Sequence, residues 1–208
     1  MSEILRLFSI PLYVSTVDVD GLELLVKDLD YYRTRMDDGS ISNNVRILDN
    51  VDFSPYRFKI LEQIRDYIYN KLECHDETRI IITNSWIMKH LKKDRSNPHL
   101  HTNSMFSGIL YINVDDASGN LSFHKGERVT IFPPQMDYEF KNKNSLNASI
   151  WTFTPKIGDL LLFPSILVHS VDENLSHIDR YCLAFNFMIE GNVGLNKDRL
   201  SQLQMKFK

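Results

Sequence analysis

Hydrophobic residues recur at two different spacings, and the change comes near residue 78. Before it, apolar positions return every third or fourth residue. In DGLELLVKDLDYYRTR, residues 20–35, Leu22, Leu25, Leu29 and Tyr32 fall on one side of a helix. SPYRFKILEQIRDYIYNKL, residues 54–72, reads as a second helix. Ser54 is its N-cap, Pro55 takes the first helical position where no amide hydrogen is missed, and Ile60, Ile64, Tyr67 and Ile68 face inward. From Thr78 the runs become short and β-prone: RIIITNSWIM, MFSGILYINV, NLSFH, SIWTFT, DLLLFPS, ILVHSV and RYCLAFNFMI. The turn signals DDASGN, FPPQ, KNKNS, PKIGD and DENLSH separate them. Many short strands at such spacing predict an antiparallel sandwich or barrel.

No internal repeat, low-complexity stretch or linker interrupts the chain, so residues 1–208 are expected to form one α+β domain. Residues 1–77 would be a mainly helical cover packed on one sheet, and residues 78–190 a jelly-roll core. Residues 191–208 would be a tail, with Leu200, Leu203 and Phe207 on one side of a final helix. The segment HKGERVTIFPPQMDYEFKNKNSLNAS, residues 124–149, is long enough to form a lid facing a substrate.

Composition narrows the function classes. Hydrophobic residues at 43% and charged residues at 25% are ordinary for a globular protein, and 208 residues suffice for a well-buried core. The net charge of −3, with Lys and Arg scattered, gives no footprint for nucleic acid. No run approaches the roughly 18 apolar residues of a membrane span. Glu3 and Arg6 interrupt the place where a secretory signal would need its apolar region. Two cysteines, Cys74 and Cys182, are too few for a disulfide framework. A cytoplasmic location is expected, and oligomeric state is unreadable.

The candidate chemistry begins at SNPHLHTNSMFSGILYIN, residues 96–113. Histidine is scarce, seven in the chain, yet His99 and His101 stand one residue apart at the mouth of an apolar run. In extended backbone they point the same way, about 7 Å apart at Cα, a span that a shared metal can bridge. His169, in LVHSVDENL, offers a third imidazole. Eleven positions later comes Arg180. If DENLSH closes a hairpin, antiparallel pairing sets Arg180 near His169 on the adjacent strand. Alternation from Arg180 then turns Cys182, Ala184 and Asn186 inward, and Leu183, Phe185 and Phe187 outward. Small residues inside and large apolar ones outside suit a cavity rather than a solid core. A buried arginine demands an anion, none of its inward neighbours supplies one, and its planar fork matches a bound carboxylate. Histidines, an open metal position and an arginine for an organic acid point to a non-haem iron oxygenase.

These segments resemble the 2-oxoglutarate/Fe(II)-dependent oxygenase superfamily, and more narrowly a group of its members known largely from bacterial and phage genomes. The resemblance rests on LFSIPLY, NSWIM, PHLHTNSMFSGILYI, PKIGDLLLFPSILVHSV and RYCLAFNF in that order, spanning residues 7 to 188. It implies a double-stranded β-helix, the jelly roll of that superfamily, with Fe(II) and 2-oxoglutarate as cofactors and O2 as co-reactant. Carried over, His99 and His169 are metal ligands, Arg180 anchors the distal carboxylate of 2-oxoglutarate, and Tyr111 shares in that contact. The implied activity is decarboxylation of 2-oxoglutarate coupled to hydroxylation of a C–H bond, on a substrate the resemblance does not identify. A phage-encoded member would act in its host's cytoplasm.

The departure is His101, which stands where the superfamily has Asp or Glu. It is either a third, neutral ligand or a residue behind the ligands that orients substrate. Tyr111 has the competing reading of a core aromatic with a satisfied hydroxyl. Asn103, Ser107 and Asn186 are candidate pocket residues, and Trp86 reads as core. Two other functions stay open: a non-catalytic jelly roll that binds a metal or a partner, and a three-histidine dioxygenase of the cupin kind. Arg180 counts against the latter, which would give it no carboxylate to bind.

Overall fold

In the strand Asp159–Pro164, Leu160 and Leu162 point one way, Leu161 and Phe163 the other, and all four are 0% exposed. A strand dry on both faces needs a layer on each side. The structure, a computed structural model, describes residue 4 and residues 9–34, 38–75, 78–126, 139–193 and 203–206. Its strands are β1 (Tyr13–Thr16), β2 (Tyr31–Arg33), β3 (Ser40–Ser42), β4 (Arg79–His90), β5 (Ser96–His99) and β6 (Phe106–Asn113). They continue as β7 (Leu121–His124), β8 (Ile150–Phe153), β9 (Asp159–Pro164), β10 (His169–Val171), β11 (Arg180–Val193) and β12 (Leu203–Met205). The larger sheet runs β1-β9-β6-β11-β4-β3-β2, with β12 added to β11, and the smaller runs β5-β10-β7-β8. Every pairing between these strands is antiparallel. This is the expected jelly roll.

Between the two sheets lie Ile109, Tyr111, Leu121, Phe123, Leu161, Phe163 and Cys182. On the outer face of the larger sheet, Ile87, Leu110, Leu183, Phe185 and Phe187 pack against Leu22, Val26, Ile60, Ile64, Tyr67 and Ile68 of the helical layer. The expected alternation along β11 is therefore realised, with its large residues under the helices. At the crossing of β6 and β11, Gly108 faces the Phe185 ring so closely that a Cβ would lie 2.1 Å from its Cζ. Gly108→Ala should overpack this layer and cost ~1–3 kcal/mol, read as a lower denaturant midpoint at unchanged slope. An unchanged midpoint would mean that the ring can step aside.

Three local expectations need correction. The first helix is only α1 (Leu22–Lys27); the chain leaves it at Asp28 and forms β2. Edge pairing with β3 and the packing of Tyr31 on Tyr181 outweigh helical spacing there, so Tyr32 is solvent-facing on a strand. The second helix, α2 (Ser54–Arg65), widens into a π-helical turn, Asp66–Lys71, and buries all four residues expected. Its lead-in, however, is a 3-10 turn, Val51–Phe53, whose start is capped by Asn50 rather than Ser54: Asn50 Oδ1 accepts from the Asp52 N–H at 3.1 Å. In the tail, Leu203–Met205 is a strand on the overhanging end of β11 and not a helix; Leu200 and Phe207 lie outside the described residues. So do residues 127–138 of the proposed lid.

Candidate metal centre

The register of the smaller sheet places His169 of β10 directly opposite His99 of β5. Their rings lie 4.3 Å apart, centroid to centroid. His101 follows just beyond β5, where its backbone N–H donates to Ser165 O at 3.0 Å. Its ring sits 5.5 Å from that of His99 and 5.1 Å from that of His169. One ring nitrogen from each histidine lies within 4.8 Å of the other two, and no carboxylate belongs to the group among the described residues.

Hydrogen bonds decide which nitrogens are free. His99 Nδ1 donates to Asn97 O at 2.8 Å, and His169 Nδ1 donates to Leu167 O at 3.0 Å. A carbonyl can only accept, so both rings carry their proton on Nδ1 and leave the Nε2 lone pair available. His101 Nδ1 donates to Asn186 Oδ1 at 2.6 Å, with Ser107 Oγ at 2.9 Å. Ser107 Oγ donates in turn to Asn186 Oδ1 at 2.8 Å, and Ser165 Oγ completes the chain at 2.8 Å from Ser107 Oγ. Each imidazole is thus held from behind, which is how metal-binding histidines are oriented. Burial pushes the His169 pKa down to about 3 and lowers that of His101 as well, so both rings are neutral and ready to ligate at pH 7. Three such donors suit a first-row divalent metal, iron included.

Ser107 and Asn186, candidates for the pocket wall, hold the His101 ring through Ser107 Oγ and Asn186 Oδ1. Asn186→Leu, of similar size, should therefore weaken metal binding by about 10–100-fold, the usual cost of removing a ligand's outer partner. Calorimetry with Ni(II) checks this; equal affinity would show that the His101 ring needs no such hold. Asn103 is exposed in a turn, with φ 56°, and its backbone conformation accounts for its residue type.

Arg180 opens β11 and is 1% exposed. It is not beside His169 as a hairpin would put it: β10 and β11 belong to different sheets, and the segment between them crosses over. Buried Asn174 folds that crossover, donating through Nδ2 to His90 O and Ile178 O at 3.0 and 3.1 Å. Turn-rich composition is common to hairpins and crossovers, so the pattern did not separate them. Arg180 faces inward from the larger sheet, across from His90 on β4. Its Nη1 donates to Ser118 O at 2.7 Å, its Nη2 to His90 Nδ1 at 2.9 Å, and its Nε–H has no partner. No carboxylate pairs with it among the described residues. A fully buried guanidinium with a free N–H and no anion is the setting a ligand carboxylate would complete. Tyr111 on β6 is the cross-strand neighbour of Cys182, two residues from Arg180, and is buried in the same layer. Between Arg180 and Asn186, the inward positions hold only the small residues Cys182 and Ala184.

Trp86 is not core. It stands opposite Ala184 on the inner face of β4, half-buried, its ring 5.7 Å from that of His101. Residue parity along β4 carried that signal: Trp86, Met88 and His90 share one face, and Ile87 faces the helices.

The family described as "Putative 2OG-Fe(II) oxygenase", 2OG being 2-oxoglutarate, matches residues 84–186, from the middle of β4 to Asn186. No curated protein matches the chain. Among solved structures, HygX from Streptomyces hygroscopicus with nickel and 2-oxoglutarate bound is similar at TM-score 0.59 and 12% identity, over 86% of this chain and 82% of its own. An oxidoreductase of the 2OG-Fe(II) oxygenase family from Burkholderia pseudomallei aligns at TM-score 0.54 and 15% identity, over 80% and 75%. The α-ketoglutarate-dependent epimerase SnoN from nogalamycin biosynthesis aligns at TM-score 0.56 and 13% identity, over 80% and 70%. At these identities the likeness is one of fold. Residues 84–186, within the jelly roll, thus carry the match to the 2OG-Fe(II) oxygenase family, and the fold around them is that of solved 2OG-Fe(II) oxygenases.

Proposed function

We propose that the chain is an Fe(II)- and 2-oxoglutarate-dependent dioxygenase that couples decarboxylation of the keto acid to hydroxylation of a C–H bond. One observation carries this reading: three imidazoles with free Nε2 atoms, and a buried guanidinium without a carboxylate partner among the described residues, occupy the inner surface of the same jelly roll. His99, His101 and His169 bind the metal, and their Nδ1 bonds hold the rings in place. Arg180, with Tyr111 beside it, binds the distal carboxylate of the cosubstrate. Cys182 and Ala184 are the small residues between these two ends, and Leu161, Phe163 and Phe123 exclude water behind them. Trp86 offers the half-open side of the site an aromatic face against which a substrate can be oriented.

When bound, the iron and its keto acid supply the activation of O2 and the oxidising equivalents. Three neutral imidazoles would leave the full charge of a divalent ion uncompensated, which would favour an anionic cosubstrate beside it. Proteins of similar fold include an α-ketoglutarate-dependent epimerase and a carbocyclase, so the fold alone does not set the fate of the substrate carbon. A cytoplasmic setting agrees with the two free cysteines.

The test is anaerobic titration with Fe(II), with and without 2-oxoglutarate, followed by admission of O2. The reading expects a weak visible charge-transfer band that needs both components, and succinate after O2. Tight metal binding with no 2-oxoglutarate-dependent change would sink it and favour a three-histidine centre of another kind.

A further inference from the structure

Arg180 is held by an unusual partner. The side chain opposite it on β4 is neither a carboxylate nor an apolar residue but His90, itself 1% exposed. Arg180 Nη2 is always a donor, so His90 Nδ1 must accept and therefore carries no proton. The other nitrogen, Nε2, lies 3.0 Å from Ser96 Oγ, to which it donates. The ring is fixed on a third side by Gly39, where a Cβ would come within 2.9 Å of Cδ2 and 3.1 Å of Nε2. Burial first, then the charges of Arg180 and Arg33, push the His90 pKa well down, so the ring is neutral.

A guanidinium kept only for structure is most simply satisfied by a carboxylate, which pairs in a planar fork and cancels the charge. The chain does this elsewhere: Arg33 makes a two-pronged pair with buried Asp94. At Arg180 both contacts, His90 Nδ1 and Ser118 O, are neutral acceptors. They fix the plane of the guanidinium and leave its charge, and the Nε–H, unspent.

We propose that His90 is a positioning residue for the cosubstrate: it orients Arg180 without neutralising it, so that the buried charge is reserved for the incoming carboxylate. The inference rests on the reading of Arg180 as the 2-oxoglutarate anchor. It adds that the identity of residue 90 sets the strength of that anchor, although residue 90 need not touch the ligand. Through Ser96, the first residue of β5, the same ring ties the anchor to the strand that ends in His99.

The proposal predicts opposite signs for stability and binding when a charge is introduced. In His90→Asp the new carboxylate pairs with Arg180 and competes with the ligand. The melting temperature of the unliganded protein should rise or hold, while the dissociation constant for 2-oxoglutarate rises on the order of 10–100-fold. His90→Asn, whose amide oxygen replaces Nδ1 as a neutral acceptor, should stay within about threefold of wild type. His90→Leu, with no acceptor, should weaken 2-oxoglutarate by about tenfold. Calorimetry on Ni(II)-loaded protein reads these constants without turnover, and Ni(II) affinity, titrated separately, should be the same in all four proteins. If His90→Asp binds 2-oxoglutarate as tightly as wild type, the proposal is overturned and the Arg180 reading survives. If Asp at this position fails to fold, the Leu and Asn pair decides alone: equal binding in both overturns it. If wild-type protein binds Ni(II) but no 2-oxoglutarate, the oxygenase reading falls and takes this proposal with it.

Discussion

Arg180→Met is expected to abolish 2-oxoglutarate binding while leaving the metal and the fold in place. The guanidinium is 1% exposed, with no carboxylate partner among the described residues. A ligand carboxylate that enters this setting sheds its water and receives the positive charge in return. With Met at 180 the carboxylate would be buried without a counter-charge, and breaking one side of such a pair costs ~3–5 kcal/mol, a few hundredfold or more in affinity. The protein itself should not suffer. Met fills similar length, and removing an uncompensated buried charge relieves a desolvation cost, so the melting temperature is expected to hold or rise. Arg180→Lys should rescue binding in part, since it restores the charge but not the planar fork. Calorimetry of 2-oxoglutarate on Ni(II)-loaded protein decides. Equal affinity in wild type and Arg180→Met would remove Arg180 from the site and the proposed cosubstrate with it. A cupin-type three-histidine enzyme would keep its oxygen chemistry in the same variant.

Why the strands were legible and the connections were not follows from what each leaves in the sequence. Strands β6 and β9 are buried through all but their end residues, β11 over residues 180–187, and β4 at Ser85, Ile87 and His90, so their apolar runs are long and bounded by turn residues. Leu183, Phe185 and Phe187 announced the helical layer because each second residue of a strand shares a face. Strands β2 and β3 are three residues each at the sheet's edge, too short for periodicity to register, and Tyr31–Arg33 lay inside a convincing helical pattern. The crossover after β10 was hidden for another reason. Asn174 and Ser176 are buried hydrogen-bonding residues there, yet their types are those of any exposed turn.

The site shows the same division. His99, His101 and His169 were readable because a scarce residue type stood at meaningful spacing, and Arg180 because it heads a strand whose alternation turns it inward; the structure brings the three histidines together. Of their supports, Ser107 and Asn186 stood out as pocket residues, but their hold on His101 did not, and Ser165 and His90 did not stand out at all. Asn186, Ser107, Ser165 and His90 act through partners between 6 and 90 residues away in sequence, and only the register of β11 between β4 and β6, and of β6 against β9, makes them neighbours. Residue 90 in particular closes an apolar strand before LKKDR, where a histidine looks like a solvated end. Its 1% exposure comes from β3, β5 and the crossover closing over it.

His169→Ala is expected to lose the metal almost entirely, and His101→Asp to keep it or bind it more tightly. His169 sits at the centre of the constellation, paired in register with His99 and walled by Phe123 and Phe163. Without its imidazole, two donors remain and the backs of both are still held, so the loss should exceed the ~10–100-fold that an outer partner costs. At position 101, aspartate would supply the anion that the family's usual ligand set contains and lower the uncompensated charge on a divalent ion from two to one. Against that stands a packing cost: the shorter side chain leaves Asn186 Oδ1 and Ser107 Oγ without the ring N–H that now reaches them at 2.6 and 2.9 Å. A net hydrogen bond is worth about 1 kcal/mol, whereas an anionic ligand bound directly to a divalent metal gains more, so the charge should win. Titration with Fe(II) under anaerobic conditions, with Ni(II) as a redox-inert check, measures both variants. Retention of metal by His169→Ala at wild-type affinity would break the three-histidine assignment. Loss of metal in His101→Asp, with the fold intact by circular dichroism, would show that the ring at 101 serves something other than the metal.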